Sequence, residues 1–409
     1  MDFLSIIDKK RLGLHLTNEE LDFMFNGYLN KKIEDYQMSS FLMSICINGM
    51  DIDETVHLTD LMLNSGQRLD LMDKFPLTVD KHSTGGIGDK TSIIIGPILA
   101  SLGLKMGKLS GRGLGITGGT IDKLESIPGF RVSLSTEEFL YNLDKVGFTL
   151  MSQTPDMTPL DKVIYDLRNA SGTVSSIPLI ASSIMSKKLA IGAKYILIDL
   201  KVGSGALIKN KVDANELAEI MIKIGKRYDR VVIPVITDMD TPLGDNIGNA
   251  LEVLEAIDIL NGKKGELRDL CVLLSSILYS HAKGENIDEA QRKVIASLDN
   301  GAAFSKFLEF VKTQGGNIEK IETSKIVKDI LSNADGTIKR IDAESIGKLS
   351  LHLGAGKEKM TDIIDFGVGI VLNKKIGDVV KKGDILCHLY QKNDEDFSEE
   401  ALNCFEIVQ

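Results

Sequence analysis

Residues 75–103, "FPLTVDKHSTGGIGDKTSIIIGPILASLG", decide the fold class of the chain. Apolar residues lead up to Val79, glycines at 85, 86 and 88 sit among hydroxyl residues, and an apolar run follows Thr91. That order reads as strand, glycine loop, helix. A glycine loop leaves backbone N–H groups unobstructed, because no Cβ stands in the way. It also delivers them beside the positive end of a helix dipole. Taken alone, the stretch suits an anion site and a plain connecting turn about equally.

The same alternation continues outward. "KMGKLSGRG" (105–113), "GFTLMSQT" (147–154), "KYILIDLKVGSG" (194–205) and "RVVIPVITDMD" (230–240) read as buried strands. Helical stretches such as "STEEFLYNLDKVG" (135–147) and "DANELAEIMIKIGKRY" (213–228) separate them. Strands alternating with helices imply an α/β fold with a mainly parallel sheet. Residues 1–65 read instead as a small helical unit, whose "TNEELDFMFNGYLN" opens with a Thr17–Glu20 capping box. Helical character returns over 160–192, so the chain is expected to re-enter that small α domain. The expected division is 1–65 with 160–192, then 66–159 with 193–334 as the larger α/β domain, and 335–409 as a C-terminal segment. That last part, with "FGVGIVLNKKIGDVVKKGDILCHLY" (366–390), is β-rich and resembles the hammerhead of lipoyl and biotinyl carriers. It lacks their modifiable lysine motif and reads as structural.

A chain of 409 residues is too long for one ordinary core. With 43% hydrophobic and 26% charged residues it has the profile of a globular protein. A net charge of -10 and the absence of Trp argue against a nucleic-acid partner. No stretch reads as a membrane helix or secretory signal, and four widely spaced cysteines suggest reduced thiols in the cytoplasm.

A second glycine cluster, "LSGRGLGITGGTIDKLESIPGF" (109–130), carries Ser110, Thr117 and Thr120. Two such loops can meet at the C-terminal edge of one sheet, where open α/β sheets bind ligands. Lys81, Ser83, Ser92, Ser110 and Thr120 then supply one cation and several hydroxyl donors, a set suited to free phosphate. A Walker loop needs Gly before Lys-Ser/Thr, but Asp89 precedes Lys90-Thr91 here. The dinucleotide pattern is equally ill-spaced. In "YDLRNASGTVSSIPLIASSIMSKK" (165–188), Ser183 and Lys187 lie one helical turn apart, and Arg168 precedes them. Converging on a cleft they would read a planar polar heterocycle; by spacing alone, solvated cations on an amphipathic helix are the commoner case.

These long motifs, with "DLKVGSGA" (199–206) and "TPLGDNIGNALEV" (241–253), resemble those of the pyrimidine nucleoside phosphorylase/thymidine phosphorylase family from the N-terminal helices to "FEIVQ". The resemblance implies a homodimer built through a small α domain, with the active site in the cleft beside a larger α/β domain. It implies that Lys81, Ser83, Ser92, Ser110 and Thr120 bind phosphate. Arg168, Ser183 and Lys187 hold the pyrimidine, and Leu114, Tyr165 and Ile180 line its pocket. The implied reaction is reversible phosphorolysis of a pyrimidine nucleoside to free base and α-pentose 1-phosphate, with no organic cofactor. His82 is the expected acid for the departing base, assisted by Arg168 and Lys187.

Three departures from the family pattern matter. Ile116 and Leu207 replace a histidine and an aromatic residue common in the family. Lys90 stands where some bacterial members use a hydroxyl residue to bind potassium, together with Gly88, Leu243, Asn246 and Glu255. An ammonium there would repel K⁺ or replace it by pairing with Glu255. Lys108 occupies a position that is lysine in uridine-accepting members and methionine in some deoxyribose-preferring ones, which favours a broad range including uridine, thymidine and deoxyuridine. The rival enzyme reading is an anthranilate-type phosphoribosyltransferase, which would need acidic residues for Mg²⁺. The rival non-enzyme reading is a pyrimidine-binding protein.

Overall fold

The structure is a computed structural model that describes residues 1–113, 116, 118–154, 156–359 and 361–408. The chain divides into two compact units, one of residues 1–82, 153–198 and 210–234, the other of 83–152, 199–209 and 235–409.

The first unit opens with four helices, α1 (Phe3–Arg11), α2 (Asn18–Leu29), α3 (Asp35–Asn48) and α4 (Ile52–Asn64), and a short α5 (Leu71–Lys74). The Thr17–Glu20 capping box forms at the start of α2, Glu20 N–H donating to Thr17 Oγ1 at 3.3 Å and Thr17 N–H to Glu20 Oε2 at 2.8 Å. Each bond satisfies a backbone donor that the first helical turn leaves orphaned. Phe25 and Phe41 meet edge to face at 5.7 Å inside a core that also takes Leu58 and Met62 of α4. The later helices α9 (Pro159–Ser171) and α10 (Ile177–Ile191) return to this unit, and Leu160, Ile164 and Leu179 join the same core. Helix α10 is buried nearly all round and packs on α4. A helix apolar on every side is one enclosed by protein, so the serines and lysines of α10 stand out as exceptions.

Strands β1 (Thr78–Ser83), β2 (Lys105–Ser110), β3 (Phe148–Ser152), β4 (Tyr195–Val202) and β5 (Val231–Asp238) form one sheet in the order β3-β2-β1-β4-β5. The sequence's five expected strands are these five. Pairing of β2 with β3 is parallel and sets Ser110 opposite Ser152. Strand order reverses between β1 and β4, and in open α/β sheets ligands bind beyond the C-terminal strand ends at such a reversal.

In the second unit, α6 (Thr91–Ser101) is buried along almost its whole length. Gly96 is required there, since a Cβ would stand 2.4 Å from the Phe148 ring. Helices α7 (Thr120–Glu125) and α8 (Thr136–Val146) follow β2, and α11 (Lys211–Arg227) precedes β5 in the first unit. A short β6 (Asn246–Ile247) leads into α12 (Asn249–Leu260), then α13 (Glu266–Lys283), α14 (Ile287–Asp299) and α15 (Ala302–Thr313).

The C-terminal segment is antiparallel. Strands β7 (Ile326–Leu331), β9 (Gly369–Leu372) and β11 (Ile385–Gln391) form a sheet with β6, and β8 (Gly336–Ile341), β10 (Val379–Val380) and β12 (Phe405–Val408) form another. Helices α16 (Ala343–Ser350) and α17 (Ser398–Leu402) complete it. The segment recruits β6 and β7, which lie before residue 335 in sequence, because β9 and β11 need partners for their outer edges. The two Gly-Asp turns are built alike, Lys375 N–H donating to Asp378 and Lys381 N–H to Asp384.

Candidate active site

Helices α9 and α10 place three of the expected base-binding residues in the first unit. Lys187 Nζ donates to Ser183 Oγ at 2.8 Å, as their spacing of four along α10 requires, and pairs with the Asp161 carboxylate from the first turn of α9. Asp161 is buried, whereas the Lys187 side chain keeps 22% exposure, so this ammonium is held but not enclosed. Arg168 is buried and largely committed to backbone: Nε donates to Thr173 O at 3.2 Å, and the two terminal nitrogens donate to Leu179 O at 3.2 Å and Val174 O at 2.7 Å. It therefore fastens the turn between α9 and α10, where Gly172 has φ 70°. Burial lowers its pKa, with Asp161 acting in the opposite sense. The half-exposed Tyr165 ring lies 5.8 Å from its guanidinium, and Ile180 is buried on α10.

The expected phosphate residues cluster at strand ends and helix starts. Ser83 closes β1, Ser110 closes β2, Ser92 lies in the first turn of α6, and Thr120 is the first residue of α7. Lys81 is fully buried on β1 and His82 half-buried beside it; both belong to the first unit, and Ser83 opens the second. Thr84 N–H donates to Asp199 O at 3.1 Å and Lys201 N–H to Thr84 Oγ1 at 2.9 Å, so the "DLKVGSGA" strand anchors the first loop. The glycines divide by purpose. A Cβ at Gly86 would fall 2.0 Å from Met239 Sδ and one at Gly88 2.5 Å from Leu243 O, so protein packing demands both. Gly85, at φ 93°, faces open space and retains the freedom to approach a ligand. In the second loop, Gly113 N–H donates to Asp122 Oδ2 at 2.6 Å, and Arg112 pairs with Asp122 and Glu125 of α7. Leu114 lies outside the described residues. Lys108 is buried on β2, and Ile116 packs against the core of the C-terminal segment.

Lys90 is fully enclosed. Its ammonium donates to Leu243 O at 2.9 Å, Asn246 O at 2.7 Å and Glu255 Oε2 at 2.5 Å. Glu255 also accepts from the N–H groups of Asp245 and Asn246. Burial raises its pKa, but Lys90 and these two amides outweigh burial and hold the carboxyl below its ordinary value. Gly88 packs on the same Leu243 carbonyl. The four residues expected to ring a potassium ion thus surround, or lie against, an ammonium.

Several polar contacts were not read from sequence. Asp161 holds Lys187; Asp80, next to Lys81, pairs with Lys188 at 2.8 Å, both buried; Lys123 pairs with Glu252, also both buried. The one sequence signal is position: Asp80 and Lys188 each flank a lysine already singled out on chemical grounds, Lys81 and Lys187.

Known proteins match this architecture throughout. Residues 4–66 fit the helical bundle domain and residues 76–304 the a/b domain of the glycosyl transferase family, and residues 337–407 fit the pyrimidine nucleoside phosphorylase C-terminal domain. The pyrimidine-nucleoside phosphorylase of Geobacillus stearothermophilus is 44% identical over 403 residues, covering 97% of this chain and 93% of the relative. That of Bacillus subtilis is 45% identical over 419 residues, covering 100% and 96%. The anthranilate phosphoribosyltransferase of Thermus thermophilus shares the fold at a TM-score of 0.61 and 16% identity, over 76% of this chain and 99% of that one. With relatives this similar over its whole length, the chain belongs to the pyrimidine-nucleoside phosphorylase family of glycosyl transferases.

Proposed function

We propose that this enzyme catalyses reversible phosphorolysis of pyrimidine nucleosides, accepting uridine, thymidine and deoxyuridine, to free base and α-D-(deoxy)ribose 1-phosphate. The observation that carries the reading is the Asp161–Lys187–Ser183 group: a partly open ammonium bonded to a hydroxyl on a largely enclosed helix. Such a pair suits a neutral planar ring with carbonyl and N–H edges. Ser83, Ser92, Ser110 and Thr120, with Lys81, bind the phosphate. A phosphate oxygen bonds to C1′ on the face opposite the base while the C1′–N1 bond breaks and its electron pair stays on N1. The negative charge spreads over the ring carbonyls, where Lys187 and Arg168 stabilise it, and His82 supplies the proton that neutralises the leaving base. Buried Lys108 donates to the 2′-hydroxyl of a ribonucleoside.

Phosphate-dependent release of uracil from uridine and of thymine from thymidine tests the reading; no release from either overturns it. His82→Ala is expected to lower kcat by about 10²–10⁴, and near-normal turnover rejects its role as acid.

The enzyme works without potassium. The residues the family would use for that ion do not fit it, because the Lys90 ammonium already holds the Leu243 and Asn246 carbonyls and the Glu255 carboxylate. A rise in activity with K⁺ but not Na⁺ in the unaltered enzyme overturns this. The enzyme is a cytoplasmic homodimer, joined through the first unit. Tyr36, Met43 and Ile47 support this, forming an exposed apolar stripe on one face of α3. Ile47→Asp should shift its sedimentation from dimer to monomer.

A further inference from the structure

We infer that Lys123 is a positioning residue that holds the two glycine loops in register and so sets the affinity for phosphate. The inference rests on the reading of those loops as the phosphate site.

Lys123 lies on α7, the short helix that begins at Thr120, and is almost fully buried. Its ammonium donates to Asp89 O of the first loop at 2.9 Å and to Gly118 O of the second at 3.4 Å. It lies 2.8 Å from Glu252 Oε2 of α12, the helix that also carries Glu255. Two carbonyl oxygens that accept from it and one paired carboxylate thus surround the ammonium, which is engaged by protein on three sides. The Glu252 carboxylate cancels the charge, so the residue adds little net field at the loops. What it contributes is geometry.

Each contact bears on a phosphate candidate. The Asp89 side chain accepts at 3.1 Å from Thr91 N–H, the first amide of α6, whose first turn presents Ser92. Pulling on Asp89 O therefore fixes where that turn starts. Gly118 lies two residues before Thr120, and Asp122, next to Lys123, takes the Gly113 N–H at the other end of the second loop. Glu252 Oε1 in turn accepts from Gly248 N–H at 3.2 Å, which locks the carboxylate to its own helix start. With Lys123 removed, Ser92 and Thr120 lose their common anchor and Glu252 becomes a buried, unpaired charge.

The test is steady-state phosphorolysis by the full-length enzyme and its Lys123→Met and Glu252→Gln variants, with inorganic phosphate and uridine varied separately. Supporting groups of this kind typically change affinity by about tenfold to a hundredfold when removed. Lys123→Met is expected to raise the KM for phosphate about tenfold or more while the KM for uridine stays within about twofold. Glu252→Gln, which keeps Lys123 and its two carbonyl partners, should give a smaller change in the same direction. It carries the test should Lys123→Met not fold. The rise in Tm that phosphate induces in the unaltered enzyme should shrink in both variants. A folded variant with an unaltered KM for phosphate, or with both KM values raised equally, overturns the inference alone. An unaltered enzyme showing neither phosphate-dependent cleavage nor a phosphate-induced rise in Tm overturns the reading of the loops, and this inference with it.

Discussion

Lys187 and Lys90 are the same side chain put to opposite uses. Both form an ion pair with a buried carboxylate, Asp161 for one and Glu255 for the other. Lys187 keeps 22% of its side chain exposed and spends its donors on that carboxylate and one hydroxyl. Lys90 has no exposure and meets three acceptors, two of them carbonyls from distant backbone. An ammonium saturated by protein oxygen is a structural cation, and one left partly open is an instrument for binding. Charge and residue type do not separate these cases; donor saturation does.

If that contrast is right, removing the open lysine should cost activity above all. Lys187→Met is expected to lower kcat/KM for uridine by about a thousandfold, the scale for losing a donor aimed at developing charge. Phosphate-induced stabilisation should persist, since Lys187 belongs to the base side. A variant that keeps its kcat/KM would erase the distinction.

Removing the closed lysine should cost stability instead. Lys90→Met strands the Glu255 carboxylate, which penalises folding by about 3–5 kcal/mol. Denaturant unfolding at neutral pH measures it. Lys90→Thr should recover part of that loss on addition of K⁺ but not Na⁺, because it reopens a cage of oxygen ligands around a missing cation. Equal response to both ions would mean that the cage has no shape of its own.

The same pair predicts a pH dependence of definite sign. The folded pKa of Glu255 lies below its ordinary value of 4.5. A lowered carboxyl pKa means that the unfolded chain binds the proton more readily, so the stability it lends is fully present above about pH 4.5 and is lost as pH falls through the folded value. Unfolding of the unaltered enzyme and Glu255→Gln across pH 3–7 should therefore show a gap in stability that is wide at neutral pH and narrows in acid. A gap that widens in acid contradicts the pairing.

How much of this the sequence discloses depends on the range of the interaction. Local patterns are legible: the Thr17–Glu20 box, the five strands of the α/β sheet, and the Ser183–Lys187 spacing are decided within a few residues. Long-range pairs are not. Lys188 meets Asp80 across 108 residues and Lys187 meets Asp161 across 26, and nothing in either neighbourhood specifies the partner. Lys90 with Glu255, 165 residues apart, became readable only through a family resemblance that assigns both to one cation site. Arg168 reads as a base-holding cation, and that three of its donors also hold a backbone turn is not announced by its neighbours in sequence. Gly86 and Gly88 look like ligand glycines, yet Met239 and Leu243 account for them.

The smallest effect discriminates most finely between the two lysines. Ser183→Ala removes a buried neutral hydroxyl that accepts from the partly exposed Lys187. Asp161 still holds the ammonium, and the freed N–H can turn to water, so no buried donor is orphaned. The loss is then one ordinary hydrogen bond, about 1 kcal/mol. It should appear as a roughly fivefold rise in the KM for uridine with Tm unchanged. No comparably mild change exists at Lys90, where the ammonium has no exposure and losing the buried Glu255 leaves an N–H without its charged partner. A Ser183→Ala enzyme that melts several degrees lower would show that Lys187 is enclosed after all.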